Sequence, residues 1–269
     1  MNRIEQLFQR KQSDILNIYF TAGYPHLDDT GTIIRTLDET GVDLIEVGMP
    51  YSDPLADGPT IQESGTAAIR NGMTLDILFE QIAAAREHSD IPLVLMGYFN
   101  PVMQYGEERF FRKVKEVGVD GLILPDLPVY EYETFYKPIL DELGLSVSFL
   151  ITPQTSAERI RQIDALSRGF IYMVSNSSIT GAKKEITQKQ LDYFHRIHAM
   201  QLQNPRLIGF GISSHETFRT ACQYAHGAII GSAFIRTLAQ ALDVGEAARQ
   251  FVADIRGATV DMGYTGGQS

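Results

Sequence analysis

A glutamate in an apolar run and two aspartates that follow it are the residues best suited to acid–base chemistry. Glu46 stands in LIEVGM at 44–49, and the next loop holds Asp53 and Asp57 among prolines at 50, 54 and 59. A buried carboxyl whose pKa lies near neutral can donate or accept a proton, and an aspartate in the loop that follows could take part in the same chemistry. The prolines restrict the loop and lower the entropy lost when it orders.

Strand geometry predicts where the Glu46 side chain points. Side chains alternate along a strand, so Glu46 shares a face with positions 44 and 48, while the apolar residues at 45, 47 and 49 share the other. If helices cover the apolar face, Glu46 points away from them, and lost solvation raises its pKa towards neutral. The alternatives are a structural glutamate satisfied within the core and, for Asp57, a solvated Asp-Gly-Pro turn.

Two glycine-containing segments near the end of the chain are suited to binding a phosphate. They read GFGIS at 209–213 and GSA at 231–233. Glycine lets the backbone approach an anion, and N–H groups at a helix start can donate to it, although turns that need a positive φ would explain either segment alone. The small, polar run SNSSITGAKK at 175–184 predicts a mobile lid, with a plain long loop as the alternative.

Alternating apolar and amphipathic runs define the elements that must position these residues. Strands are predicted at 16–21, 43–49, 92–98, 121–127, 146–152, 170–175, 206–212 and 228–233. Helices are predicted between them at 28–40, 75–87, 107–117, 131–143, 156–167, 187–201 and 214–224. The strands are apolar runs rather than clean alternations, which is typical of a parallel sheet covered by helices.

Eight βα units without a break in composition predict a single (β/α)₈ TIM barrel over residues 1–269, with a frayed tail at 263–269. The carboxyl ends of barrel strands carry the chemistry, so Glu46, Asp57 and the glycine segments are expected there together. A doubly wound open sheet is the alternative. It would show a glycine-rich fingerprint after the first strand, where this chain reads TAGYP at 21–25.

Composition narrows the class of protein. A formal net charge of −10 argues against nucleic acid as a ligand, because phosphate backbones require basic surfaces. The sequence has no run of about 18 apolar residues, so no membrane span is predicted. The single cysteine, Cys222, permits no internal disulfide, so we expect a reducing, cytoplasmic location. His195 and His198 share a helix face without a visible third ligand, so no metal site is expected.

The run EVGMPYSDPLADGPTIQ at 46–62 closely resembles the most characteristic motif of the tryptophan synthase alpha subunit family. Supporting motifs follow in the same order: FTAGYP, GVDGLILPDLP, ITP, TG at 180–181, GFGIS and GSAF. The resemblance covers nearly the whole chain. It implies a (β/α)₈ barrel that cleaves indole-3-glycerol phosphate to indole and glyceraldehyde 3-phosphate by a retro-aldol reaction, with no metal or cofactor in this subunit.

The resemblance also assigns roles. It implies that Glu46 and Asp57 are catalytic, Glu46 as proton donor to the indole ring and Asp57 as the charged partner of the indole N–H. The substrate-binding positions it implies are Tyr19, Tyr172, Thr180, Gly181, Phe210, Gly211, Gly231 and Ser232. Tyr19 stands where many members carry phenylalanine. The run NSS at 176–178 departs from the Arg-Ser-Gly run of many members.

A partner is implied as well, a pyridoxal-phosphate-dependent beta subunit in an alpha-beta-beta-alpha complex. Apolar residues crowd the loops after the second, third and fourth predicted strands: Tyr51, Pro54, Leu55, Phe99, Pro101, Val102, Met103, Tyr105, Pro128, Val129 and Tyr130. Such a patch predicts an interface, although some of its members could fold back onto the barrel. The alternatives are a stand-alone indole-3-glycerol phosphate lyase, another phosphate-binding barrel such as an isomerase, and a non-catalytic barrel.

Overall fold

A computed structural model describes residues 1–54, 57–174, 187–209 and 211–258. The strands within these ranges are β1 (Ile15–Thr21), β2 (Leu44–Gly48), β3 (Leu93–Met96), β4 (Gly121–Ile123), β5 (Ser146–Val147), β6 (Leu150–Ile151), β7 (Ile171–Val174), β8 (Arg206–Gly209) and β9 (Gly227–Ile230). All pairings among them are parallel, and the order is β5-β4-β3-β2-β1-β9-β8-β7-β6.

The first and last strands of this order, β5 and β6, lie in one continuous stretch of chain. β5 pairs with β4 and β6 pairs with β7, and only Ser148 and Phe149 separate β5 from β6. The Ser148 N–H donates to the Leu122 carbonyl on one side, and the Phe149 carbonyl accepts from the Tyr172 N–H on the other. The segment therefore serves as one barrel strand that changes partner midway. This confirms the predicted eight-stranded barrel, with the predicted strand 146–152 divided in two.

Helices pack on the outer face and on the amino-terminal end of the barrel in the described ranges. They are α1 (Arg3–Arg10), α2 (Asp29–Glu39), α3 (Pro59–Arg70), α4 (Leu75–Arg86), α5 (Phe99–Tyr105), α6 (Glu107–Glu116), α7 (Val129–Glu131), α8 (Lys137–Leu143), α9 (Ala157–Leu166), α10 (Gln188–Ala199), α11 (His215–Cys222), α12 (Ser232–Ala239) and α13 (Val244–Arg256). A π-helical turn, Tyr132–Tyr136, joins α7 to α8 where a single helix is predicted at 131–143. No described helix is both long enough and apolar enough to span a bilayer.

The core has two layers, one on each face of the sheet. Ile45 and Val47 belong to the layer between the strands and the helices, whereas Leu44 belongs to the layer inside the barrel together with Tyr19 and Tyr172. The predicted alternation along β2 is therefore confirmed. The outer layer is the larger, as expected when helices cover the whole outer surface of a parallel barrel.

Helix α1, which the sequence patterns did not predict, plugs the amino-terminal end of the barrel. Ile4, Leu7 and Phe8 are buried in the inner layer, and the Phe8 ring lies 6.0 Å from that of Phe170. Asn2 begins the helix with a capping box, and its Nδ2 donates to carbonyls of the barrel. The carboxyl end is left as the open end, so any substrate site must lie there.

Local interactions fix the position of β2, which carries Glu46. Helix α2 ends at Glu39, and Gly41 follows at φ +76°, a left-handed conformation that terminates helices. The chain then enters β2 through Asp43. The Asp43 carboxylate accepts the Leu16 N–H and pairs with Lys11 and Arg256. These bonds hold the start of β2 against β1 and set the register in which Glu46 lies opposite Tyr19.

Candidate active site

Glu46 lies inside the barrel, at the middle of strand β2, and has 0% exposure. Its Oε1 accepts a hydrogen bond of 2.6 Å from Nδ2 of Asn17 on β1. Its Oε2 is buried and makes no hydrogen bond within the described residues. The carboxyl therefore has one oxygen fixed by the barrel wall and one oxygen free to meet a substrate.

Burial controls the protonation of Glu46. Loss of solvation raises the pKa of its carboxyl from 4.5 to about 8, and the hydrogen bond from Asn17 acts in the opposite direction by favouring the charged form. At neutral pH the group is mostly protonated. A carboxyl with a pKa near the working pH can both donate and accept a proton, which meets the requirement predicted from its place in the sequence.

Tyr19 and Tyr172 flank Glu46 from β1 and β7. Burial raises the pKa of both hydroxyls, and the negative charges of Glu46 and Asp57 raise it further, so both tyrosines stay neutral. Each ring lies where a neighbouring residue lacks a Cβ. A Cβ on Gly48 would overlap the Tyr19 hydroxyl. Likewise, a Cβ on Gly209 would overlap the ring and hydroxyl of Tyr172. The small residues thus leave the space that the two aromatic rings occupy beside the carboxyl.

Asp57 lies at the end of the loop that follows β2. Burial raises the pKa of its carboxyl, and a hydrogen bond with Tyr98 opposes that rise. Its backbone carbonyl accepts a bond of 2.8 Å from Nε2 of Gln62 on α3, and Tyr98 packs against Tyr51 with ring centroids 5.3 Å apart. The charge of Asp57 acts on Tyr19 and Tyr172, the two rings that also sense Glu46. The two predicted catalytic carboxyls are therefore part of one site.

A cavity opens between the ends of β1, β2 and β3. Its wall is mostly apolar and aromatic, with Asp57 as its charged member, and includes Tyr19, Met49, Tyr51, Ile61, Met96 and Tyr98. Hydrophobic walls with a few placed polar groups are typical of small-molecule sites.

The predicted phosphate segments meet at the adjoining ends of β8 and β9. Gly209 of β8 pairs with Ile229 of β9, so the loops that follow them are neighbours. Gly211 has φ +80°, and Gly231 lies directly before α12, which begins at Ser232. The first turn of a helix leaves N–H groups without intrahelical partners, and these can bind an anion. A Cβ on Gly231 would lie 3.2 Å from the Tyr19 ring, so this edge borders the cavity.

Several predicted features lie outside the described residues. Thr180, Gly181 and Phe210 are among them, as are the predicted lid at 175–184 and the tail at 263–269. The remaining predicted site residues are the catalytic pair and the five substrate positions Tyr19, Tyr172, Gly211, Gly231 and Ser232. The structure places all of them at the carboxyl end of the barrel strands or inside it.

Two contributors to the site were missed by the sequence patterns. Asn17 is a polar residue within an apolar strand, which is the same signal that singled out Glu46, and it shares a strand face with Tyr19. Tyr98 ends the predicted strand 92–98, but nothing local indicates that its hydroxyl meets Asp57. Among the described residues, no three His, Cys, Asp or Glu side chains come close enough together to hold a metal ion.

Comparisons with known proteins agree on one family. The model of the family described as tryptophan synthase alpha chain matches residues 5–260. A protein of that name from Flavobacterium psychrophilum is 57% identical over 240 residues, covering 89% of this chain and 94% of its own length. The one from Flavobacterium johnsoniae is 56% identical over 256 residues, covering 95% and 100%.

Solved structures give the same result. Tryptophan synthase subunit alpha from Legionella pneumophila superimposes with a TM-score of 0.86 at 30% identity, covering 96% of this chain and 98% of its own. A chain of the tryptophan synthase complex from Pyrococcus furiosus superimposes with a TM-score of 0.84 at 34% identity, covering 92% and 99%.

Proposed function

The chain belongs to the tryptophan synthase alpha chain family, and we propose that Glu46 and Asp57 carry out its reaction. The chain is a lyase that cleaves indole-3-glycerol phosphate to indole and glyceraldehyde 3-phosphate in tryptophan biosynthesis. Its role is that of an alpha subunit, which disfavours the stand-alone lyase as an alternative. The inward-facing, buried carboxyl of Glu46 is the observation that carries the assignment of the chemistry.

The first step is protonation of the indole ring. The bond to be broken joins ring carbon C3 to the glycerol carbon that bears a hydroxyl, and an indole carbanion is a very poor leaving group. Neutral Glu46 donates its proton to C3, which converts the ring to an electron-poor indolenine. The burial that raises the Glu46 pKa to about 8 supplies the protonated form at neutral pH.

The second step breaks the carbon–carbon bond. Glu46, now ionised, accepts the proton of the glycerol hydroxyl, and that oxygen forms the aldehyde of glyceraldehyde 3-phosphate. The electron pair of the broken bond returns to the ring and gives neutral indole. One proton is delivered to carbon and one is recovered from oxygen, so the enzyme ends in its starting state without an external donor.

Asp57 stabilises the charge that develops between these steps. Protonation at C3 leaves positive charge at the indole nitrogen, and an ionised Asp57 accepts a hydrogen bond from that N–H. Its hydrogen bond with Tyr98 favours the charged form against the effect of burial. In this proposal Tyr19 and Tyr172, both buried, pack against the indole ring on the side of Glu46. Phe210 is proposed to contact the same ring, and it lies outside the described residues.

Backbone N–H groups bind the phosphate in this proposal. Gly211, Gly231 and Ser232 lie where the ends of β8 and β9 adjoin, and Thr180 and Gly181 complete the proposed contacts. The net charge of −10 repels an anion at long range, so local donors at a helix start are the more effective means of holding it.

A beta subunit is the partner, since chains of tryptophan synthase complexes align with this one over nearly their full length. We further propose an alpha-beta-beta-alpha assembly in the cytoplasm, with pyridoxal phosphate confined to the beta subunit. Met103, Pro128 and Tyr130 are exposed in the segments that follow β3 and β4, with Met103 on α5 and Tyr130 on α7, and form part of the proposed contact. Phe99, Val102 and Val129 are buried, so that part of the predicted patch packs on the barrel instead.

The test is product analysis with purified chain and indole-3-glycerol phosphate. We expect indole and glyceraldehyde 3-phosphate in equal amounts, slowly from the chain alone and faster with the cognate beta subunit. An isomerase would return one product of unchanged mass, which would overturn the proposed chemistry.

A further inference from the structure

Asn17 lies on the inner wall of the barrel. Within the described residues its side-chain amide makes one hydrogen bond, and that bond is to the carboxyl of Glu46. Asn17 has 0% exposure and points inward from β1, with its Nδ2 donating to Oε1 of Glu46 at 2.6 Å. Its own Oδ1 is buried without a partner there, as is Oε2 of Glu46. A buried amide costs free energy unless it is hydrogen-bonded, so a purely structural site would favour an apolar side chain at this position.

We propose that Asn17 is a positioning residue that occupies Oε1 of Glu46 and thereby directs the reactive proton to Oε2. This inference rests on the proposed role of Glu46 as acid and base. A carboxyl oxygen that accepts an N–H bond is a poor site for a proton, so the neutral carboxyl carries its proton on the other oxygen. The oxygen left without a partner is then the one that exchanges protons with the substrate.

The same bond limits how far burial can shift the carboxyl towards its neutral form. It favours the ionised state that the second step of the reaction needs, while burial favours the protonated state that the first step needs. The other titratable groups of this site are Tyr19, Tyr172, Asp57 and Tyr98, which is hydrogen-bonded to Asp57. The pKa values of Tyr19 and Tyr172 are raised, so neither of these hydroxyls ionises in the same range as Glu46.

The direct test is an NMR titration of the Glu46 carboxyl in protein that carries isotope-labelled glutamate carboxyl carbons. The Glu46 signal is identified by its absence from the spectrum of Glu46→Gln. Hydrogen bonds to charged groups contribute enough that Asn17→Leu should raise the pKa of Glu46 by about one to two units. Ile15→Val is the matched control, since it changes a buried, inward-facing residue of the same strand without removing a polar group. An unchanged Glu46 pKa in Asn17→Leu would overturn the proposal.

A second variant keeps the test informative if Asn17→Leu folds poorly. Asn17→Asp has nearly the same shape and places a second carboxyl against Oε1, and two carboxyls in contact must share a proton. We expect the higher of the two titrations to move well above that of wild-type Glu46. If Glu46 in this variant still titrates with its wild-type pKa, the proposed contact is rejected.

Kinetics separate positioning from binding. In Asn17→Leu we expect kcat to fall by about twofold if the proton is merely shared between two equivalent oxygens. The loss should reach about 10²-fold if the carboxyl also moves out of position. KM should not change, because Asn17 does not touch the substrate. A raised KM with unchanged kcat would instead make Asn17 a binding residue and overturn the inference. If wild type lacked lyase activity, the proposed function would fail while the titration still tested Asn17.

Discussion

At the scale of single residues, the site depends on carboxyls that share a small space but differ in exposure. Glu46 is fully buried, whereas Asp57 is half-buried in a loop and held by Tyr98. Burial raises the pKa of both, but only the Glu46 shift is large, to about 8. In the proposed mechanism, this difference places the proton on Glu46 and the negative charge on Asp57.

Replacing Glu46 by glutamine removes the titratable proton and keeps the shape of the side chain. We expect Glu46→Gln to lower kcat by at least about 10²–10⁴-fold, the usual contribution of general acid–base catalysis. The circular dichroism spectrum should match that of wild type. Glu63→Gln is the control, because it removes an exposed carboxyl from α3. Wild-type turnover in folded Glu46→Gln would refute the assignment.

The Asp57→Asn variant should lose rate rather than affinity. The charge of Asp57 matters most once the ring has been protonated, so its loss should lower kcat while KM, set largely by the phosphate, stays nearly constant. Steady-state assays of Asp57→Asn and of Asp53→Asn, which alters the same loop, make the comparison. If only KM rises in Asp57→Asn, the residue binds substrate and does not stabilise the protonated ring.

Glu46 should also make the stability of the chain depend on pH. The folded state keeps the proton up to about pH 8, whereas an unfolded glutamate releases it near 4.5, so folding binds a proton between these values and stability falls as pH rises through this window. The loss amounts to roughly 3–5 kcal/mol. Urea unfolding at pH 5 and pH 8.5 should show a smaller decline in Glu46→Gln than in wild type. Equal declines would show that Glu46 titrates normally.

At the scale of elements, the strand ends bring the site together. The adjoining ends of β8 and β9 carry Gly211 and Gly231, and the end of β1 places the Tyr19 ring beside Gly231. The loops after β3 and β4 are tied together because the Phe99 N–H donates to the Asp126 carboxylate at 2.9 Å. The proposed contacts with phosphate, ring and partner are thus divided among neighbouring loops of one barrel.

Gly211 offers a test of the phosphate site with a close control. Gly211 and Gly41 have φ values of +80° and +76°, and apart from chain neighbours no atom of the described residues lies closer than 3.9 Å to a Cβ added at either position. Alanine at either position therefore costs about 1–2 kcal/mol of stability through the backbone alone. Only Gly211→Ala should weaken binding of inorganic phosphate and glyceraldehyde 3-phosphate, by about 10-fold or more if one N–H donor is displaced. Calorimetry measures both ligands, and equal affinities in the two variants would place the anion elsewhere.

At the scale of the whole molecule, the barrel is closed at one end and open at the other. Helix α1 fills the amino-terminal end with Ile4, Leu7 and Phe8, so the product must leave through the carboxyl end. Indole is neutral and apolar, and a partner docked over that end would receive it directly. Met103 on α5 and Tyr130 on α7, in the segments that follow β3 and β4 beside this opening, are 49% and 69% exposed.

The double variant Met103→Asp, Tyr130→Asp should bind the cognate beta subunit at least about 30-fold more weakly, because the hot-spot residues of interfaces, among which tyrosine is enriched, cost about 2 kcal/mol or more when removed. Lyase activity of the isolated chain should stay unchanged, while its stimulation by the beta subunit at limiting concentration should fall. Leu242→Asp is the control, an exposed apolar residue outside these loops. Unchanged association, measured by calorimetry, would remove this surface from the proposed interface.

The sequence determined the features that follow from local geometry. Alternation along β2 fixed the inward face of Glu46, because strand side chains alternate whatever the strand packs against. The glycine in the segment after β8 was readable for a similar reason, since Gly211 takes the positive φ that a turn requires and φ is a local property. Repeated βα units then placed Glu46 and Asp57 at one end of a barrel before any contact was known.

Only the tertiary structure decided which side chains meet across strands. The bond from Asn17 to Glu46, the contact of Tyr98 with Asp57 and the plug formed by α1 join residues far apart in the chain or on different strands. The division of the fifth strand into β5 and β6 likewise depends on how the barrel closes. Such contacts are set by the stagger between strands and the packing of the closed barrel, and no local pattern of residues encodes either.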